Sequence, residues 1–115
     1  MLQGVSHGLQ DMVRIMNKDS LNSKKIIKKI EENKESLQKY GVEKIGIFGS
    51  FLKGKQKKKS DIDILVVLKE PSFDSYIELK MLLERMFKRK IDLIIEEDLR
   101  PELKYVKKEA KYARL

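Results

Sequence analysis

The stretch from Ile45 to Val67, IGIFGSFLKGKQKKKSDIDILVV, constrains what this chain can fold into more than any other. A short apolar run ends in Gly49-Ser50, a lysine-rich loop follows, and Asp61 and Asp63 open a second apolar run. Runs of this length bounded by turn residues read as strands. Alternate residues of a strand share a face, roughly 6.5–7 Å apart along it. Asp61 and Asp63 therefore stand on one face, while Ile62 and Ile64 pack on the other. Two carboxylates on one face repel each other unless a cation lies between them. Mg²⁺ accepts a few carboxylates alongside water and phosphate oxygens, and a pair of such ions is the usual device for in-line displacement at phosphorus. At the other end of the stretch, Gly49 lets the backbone come close to a phosphate. A helix opening at Ser50 would aim free amides and its dipole at the same anion. Each half is weak alone, since Gly-Ser is commonly a plain turn and Asp-x-Asp occurs in calcium loops. Together, with ten residues between Ser50 and Asp61, they point to phosphoryl or nucleotidyl transfer.

The flanking sequence supplies the scaffold. Ile26, Ile27, Ile30, Leu37 and Tyr40 recur on one helical face, so Ser23 to Tyr40 reads as a helix with Ser23 as N-cap and Gly41 as its stop. Glu43 to Phe48 is the first strand and Asp61 to Leu68 the second. Pro71-Ser72 breaks the chain before a helix from Phe73 to about Lys88, whose Tyr76, Leu79, Leu83 and Met86 face the core. Lys90 to Glu96 is a third strand. Pro101 suits the first turn of a last helix, with Leu103, Val106, Ala110 and Ala113 in step and Tyr105 and Tyr112 on a neighbouring, exposed face. Residues 1–22 form an N-terminal extension before a single domain at 23–115. Leu9, Met12, Val13 and Met16 fit a short amphipathic helix there; a disordered extension, or an upstream start with Met12 the natural one, fits equally.

Asp92 marks the third strand, because a carboxylate near the start of a buried apolar strand needs compensation. A salt bridge to one of the many lysines is one solution. Geometry offers another. If Gly49-Ser50 is to meet Asp61, strands one and two must be antiparallel. If Asp92 is to reach the same place, strand three must begin beside strand two and run parallel to it, with the Phe73–Lys88 helix as the crossover such a pair requires. The expected fold is α/β, a small mixed sheet with helices packed mainly on one side.

The segment GSFLKGKQKKKSDIDILV resembles the Gly-Ser-x10-Asp-x-Asp signature of the DNA polymerase β-like nucleotidyltransferases, and more closely their minimal nucleotidyltransferase domains. The resemblance covers about Ile26 to the C-terminus. It implies that Asp61, Asp63 and Asp92 are catalytic and hold two Mg²⁺ ions, with Asp92 helping to deprotonate the attacking hydroxyl. It implies that Gly49, Ser50 and Lys53 bind the nucleotide, ATP. The family often carries Arg-Gly where this chain has Lys53-Gly54, and lysine cannot grip a phosphate as a bidentate fork. Larger relatives add a domain for the acceptor, for which 115 residues leave no room. Minimal domains of this kind commonly pair with HEPN proteins, often as antitoxin to a ribonuclease toxin, and transfer AMP to its tyrosine. The resemblance thus implies an adenylyltransferase antitoxin in a hetero-oligomer. A domain that neutralises a partner sterically, and a transferase acting on a small molecule or an RNA end, are the alternatives.

Composition sets outer limits. Cysteine is absent, which excludes disulfides and thiolate metal sites, and the lone His7 has no partners for zinc. The longest apolar run, Ile64 to Leu68, is far short of a membrane span, and no signal-peptide pattern opens the chain, so a soluble cytoplasmic protein is expected. A net charge of +8 favours polyanionic partners but leaves direct nucleic-acid binding open, since no ladder of aromatics accompanies it. Lys53, Lys55, Lys57, Lys58 and Lys59 crowd the loop before Asp61. That loop is either solvated and mobile, or it attracts a triphosphate or an acidic partner.

Overall fold

A computed structural model describes residues 21–115. The reading of residues 1–20 as a helix or an extension lies outside the described residues.

Four strands form one mixed sheet in the order β3-β2-β1-β4. β1 (Val42–Phe48) pairs antiparallel with β2 (Ile62–Leu68), and β2 pairs parallel with β3 (Ile91–Ile95). The crossover between the parallel pair is α4 (Phe73–Phe87). It opens on a capping box in which Ser72 Oγ accepts the Ser75 N–H at 3.1 Å and Ser75 Oγ accepts the Ser72 N–H at 3.0 Å. The antiparallel–parallel arrangement expected from the placement of Ser50, Asp61 and Asp92 is the one observed.

Alternation along the strands decides the two faces. Ile62, Ile64, Val66 and Leu68 of β2 join Ile45, Ile47, Ile91 and Leu93 in the main core, under the helices. Val42 joins them although it lies three residues before Ile45, because a β-bulge between Val42 and Lys44 inserts one extra residue and resets the pleat. Leu65 faces the other way, into a smaller cluster with Leu99 and Val106.

The N-terminal helical region departs from the single helix expected over Ser23–Tyr40. It is broken into α1 (Ser23–Glu32) and α2 (Lys34–Lys39) at Asn33. The Asn33 side-chain amide donates to the Lys29 carbonyl at 2.8 Å, a local bond of the kind that lets Asn compete with the helical ladder. The apolar stripe survives the break, with Ile26, Ile30 and Leu37 all fully buried. The N-cap is Asn22 and not Ser23, its Oδ1 accepting the Lys25 N–H at 2.9 Å.

The C-terminal region departs further. A single helix from Pro101 is replaced by a 3₁₀ turn (Pro101–Leu103), the short α5 (Tyr105–Glu109) and the two-residue β4 (Lys111–Tyr112), which pairs antiparallel with Gly46 and Ile47 of β1. The open edge of β1 wins over helical periodicity, because backbone groups there gain partners, including Ala113 N–H to the Ile45 carbonyl at 2.9 Å. Gly46 makes this possible: a Cβ there would lie 2.8 Å from both the Lys111 carbonyl oxygen and the Tyr112 ring. Tyr105 is exposed as expected, but Tyr112 is half-buried, with its hydroxyl donating to Glu96 at 3.1 Å and Lys44 Nζ 4.1 Å from its ring centroid.

Among the described residues no helix is long and apolar enough to cross a membrane.

Candidate functional site

The sheet register brings the signature together. Phe48 lies opposite Asp63 across the antiparallel pair, and Asp63 lies opposite Asp92 across the parallel pair. The turn out of β1, both ends of the signature and the third carboxylate thus meet at one end of three neighbouring strands. Asp63 and Asp92 share the sheet face of Leu65 and Ile94, opposite the main core. Asp61 falls one residue before β2 begins and is exposed.

The Gly-Ser turn is built around Asp63. The short helix α3 (Gly49–Lys53) starts immediately after β1, and Gly49 has φ +73. A side chain at this position would be strained by the backbone and would collide with the Asp63 carboxylate. The backbone of Ser50 donates a hydrogen bond to that carboxylate. Ser50 therefore orients Asp63 through its amide, while its hydroxyl is the group left to meet a phosphate.

Burial, then the charge of Asp92, a hydrogen bond shared with the Asp92 side chain and the charge of Asp61 push the Asp63 carboxyl up to about 6, against the smaller opposing effect of the Ser50 amide. Two carboxyl groups that share a hydrogen bond share a proton, and a divalent cation satisfies the same oxygens by displacing it. The donor set is all oxygen, as Mg²⁺ prefers. Among the described residues no three His, Cys, Asp or Glu side chains already close around a common point. The carboxylates thus form a pair, with exposed Asp61 acting on Asp63 through its charge. Such a set fits an ion whose remaining ligands come from phosphate oxygens and water.

The lysine loop has a fixed backbone and solvated side chains. Gly54 ends α3 with φ +70, and the Lys55 N–H returns to the Ser50 carbonyl at 2.9 Å. Farther on, the Lys57 N–H donates to Ser60 Oγ at 2.7 Å, and Arg89 donates to the carbonyls of Lys58 and Ser60 at 3.1 and 2.9 Å. Lys53, Lys55, Lys57, Lys58 and Lys59 are all exposed. Lys53 closes α3 with its side chain exposed and, among the described residues, forms no ion pair with Asp61, Asp63 or Asp92.

Two residues of the site's surroundings escape a reading of the sequence. Arg89 sits among lysines in KRK, and nothing there distinguishes it, yet its Nη1 alone bridges the Lys58 and Ser60 carbonyls; the same guanidinium lies 5.3 Å from the Phe51 ring centroid. Tyr76 reads as one more core position, yet its hydroxyl donates to the Leu93 carbonyl at 2.6 Å. Burial, and then the charge of Asp92, raise its pKa above the ordinary tyrosine value.

A mixed sheet with a Gly-Ser turn on β1 and carboxylates on β2 and β3 defines a nucleotidyltransferase. The chain belongs to the polymerase β nucleotidyltransferase family, whose model matches residues 24–111. It is 41% identical over 68 residues to the protein adenylyltransferase MntA of Thermococcus cleftensis, an alignment covering 58% of this chain and 69% of the relative. It is also 41% identical over 93 residues to a protein assigned as an adenylyltransferase in Methanocaldococcus jannaschii, covering 71% and 91%. Among solved structures, one of a protein assigned as a minimal nucleotidyltransferase superposes with a TM-score of 0.69 at 26% identity, over 79% of this chain and 95% of the other. A toxin–antitoxin structure with AMP-PNP superposes with a TM-score of 0.58 at 28% identity, over 80% and 72%.

Proposed function

We propose that this chain is a Mg²⁺-dependent protein adenylyltransferase that moves AMP from ATP to a tyrosine hydroxyl of a HEPN-family toxin, and so acts as that toxin's antitoxin. The observation that carries this reading is the register that sets Phe48, Asp63 and Asp92 side by side, with Gly49-Ser50 folded onto Asp63. The names of the relatives supply substrate and partner: MntA is a protein adenylyltransferase, and the structural neighbour is a toxin–antitoxin pair with an ATP analogue.

In the transfer, the acceptor oxygen bonds to the α-phosphorus, the bond from that phosphorus to the pyrophosphate oxygen breaks, and the hydroxyl proton passes to a carboxylate. Asp92 is the carboxylate we assign to that proton. It is exposed and open to an incoming hydroxyl, whereas Asp63 is half-buried and already holds the Ser50 amide. A general base must lie within hydrogen-bond reach of the proton it takes. Asp61, Asp63 and Asp92 would hold the magnesium ions, which when bound neutralise the triphosphate and stabilise charge in in-line displacement. The Ser50 hydroxyl binds the β- or γ-phosphate, Gly49 keeps the backbone close, and Lys53 with the exposed lysines beyond it draws the triphosphate in.

The test is co-expression with a HEPN-family toxin, followed by intact mass measurement of that partner. Wild type should add one or more AMP masses, and Asp92→Asn should add none while still binding the partner. A wild type that silences the partner without adding mass would make this domain a steric inhibitor and sink the reading.

A further inference from the structure

A groove of about 490 Å³ runs along the outer edge of β3, lined by Pro71, Phe73, Tyr76, Leu93, Ile94 and Asp98 among others. It lies beside the candidate site: Ile94 shares a sheet face with Asp92, two residues and roughly 6.5–7 Å along the strand. Its floor and walls are mainly apolar, and Phe73, at 77% exposure, stands open at its rim. Its charge runs against that of the chain. Lysine and arginine outnumber aspartate and glutamate by 26 to 18 overall, yet among the described residues none that lines the groove is basic. Asp98 lines it, and exposed Glu70 and Asp74 flank Pro71 and Phe73 in the chain. The lysines before Asp61 belong to the loop that leads from α3 to β2, and none of them lines the groove.

Strand addition is not how this edge would be read. The Ile91 N–H donates to Glu84 at 3.2 Å, and the Leu93 carbonyl accepts the Tyr76 hydroxyl. Side chains of α4 thus hold backbone groups that an added strand would need, which leaves recognition to side chains.

We propose that this groove seats the acceptor segment of the protein substrate, and that the segment carries basic residues around the hydroxyl and rests an apolar side chain on Phe73. Opposite charges then sort the two substrates, the triphosphate to the lysine loop and the acceptor to the acidic groove. This rests on the adenylyltransferase reading for the word acceptor; the docking itself does not.

Two fluorescein-labelled peptides test it, each with a central tyrosine and the same apolar neighbours, one flanked by lysine and arginine and the other by aspartate and glutamate. Anisotropy titrations use the full chain with Mg²⁺ and a non-hydrolysable ATP analogue, and calorimetry follows the analogue separately. The basic peptide should bind about tenfold more tightly than the acidic one. Phe73→Ala and Asp98→Lys should each weaken it roughly tenfold and leave nucleotide affinity within about twofold. Both residues are exposed, so the variants should fold. Equal binding of the two peptides, no binding of either, or unchanged binding by both variants overturns the proposal. So does a Phe73→Ala variant that loses the nucleotide instead, or one that abolishes self-association seen by sedimentation. A peptide that docks as expected yet never gains AMP when ATP is supplied would sink the transferase reading and leave the groove standing.

Discussion

On the helical face of the sheet, Ile62, Ile64 and Val66 of β2 are fully buried; on the other face, the residues between them are Asp63 and Leu65. Both faces come from one strand, and the one-residue step between them separates folding from chemistry. Fully burying an isoleucine or leucine stabilises by about 1.5–3 kcal/mol. Burying the Asp63 carboxylate and crowding it against Asp92 together oppose folding by roughly 1 kcal/mol once solvent screening of a half-exposed carboxylate is allowed for. A single core side chain therefore offsets the repulsion, and many contribute. The acidic face can keep a strained charge arrangement because the helical face has stability to spare.

The comparison predicts that substitutions on the two faces fail in different ways. The largest expected effect is on chemistry alone: Asp92→Asn should lower AMP transfer by roughly 10²- to 10⁴-fold, as for a lost general base, with little change in unfolding midpoint. Loss of stability as large as the loss of rate would mean that the faces are not separable. Next, Leu83→Ala should destabilise the fold by about 2–5 kcal/mol, read by urea unfolding, and leave the rate per folded molecule near wild type. Ser50→Ala is smaller, weakening ATP binding by about 1.5–3 kcal/mol if its hydroxyl meets a phosphate. An unchanged calorimetric affinity would reduce Gly49-Ser50 to a support for Asp63.

The smallest effect concerns acid. Asp63 binds its proton more tightly folded, at about 6, than at its ordinary value of 3.8. Its favourable contribution is thus fully present below about 3.8 and is lost as pH rises through about 6. Without metal, Asp63→Asn should therefore be more stable than wild type by about 1 kcal/mol at pH 8, and the gap should close toward pH 4. Denaturation in EDTA across that range measures it, and a gap that does not change with pH would remove the burial and crowding assigned to Asp63.

Much of the candidate site's layout was legible because Asp63 and Asp92 lie on strands and Ser50 and Asp61 at strand ends. Ser50, Asp61, Asp63 and Asp92 could meet only in one arrangement of three strands, and Pro71 and Ser72 announced the crossover. What stayed hidden depends on partners distant in sequence. Tyr112 reads as part of a helix until Gly46 offers a bare stretch of backbone to lie against, and nothing in KRK shows that Arg89 will hold Lys58 and Ser60. Asn33 was a weaker omission, since an asparagine inside a helical pattern is a local competitor for backbone bonds. Side-chain detail was beyond spacing as well: that the Ser50 amide would face Asp63 follows from the turn of Gly49, not from the motif.

The bulge in β1 bears on how this chain avoids its own kind. β4 pairs with Gly46 and Ile47, and the Ala113 N–H adds Ile45, so the first residues of β1 keep an open outer edge. An open edge invites a second copy to continue the sheet. Here the bulge between Val42 and Lys44 twists that edge out of line, while Lys44 carries its cation over the Tyr112 ring and toward Glu96. Replacing Lys44 with valine would remove that anchor and its charge together, leaving the bulge alone to keep a second copy off the edge.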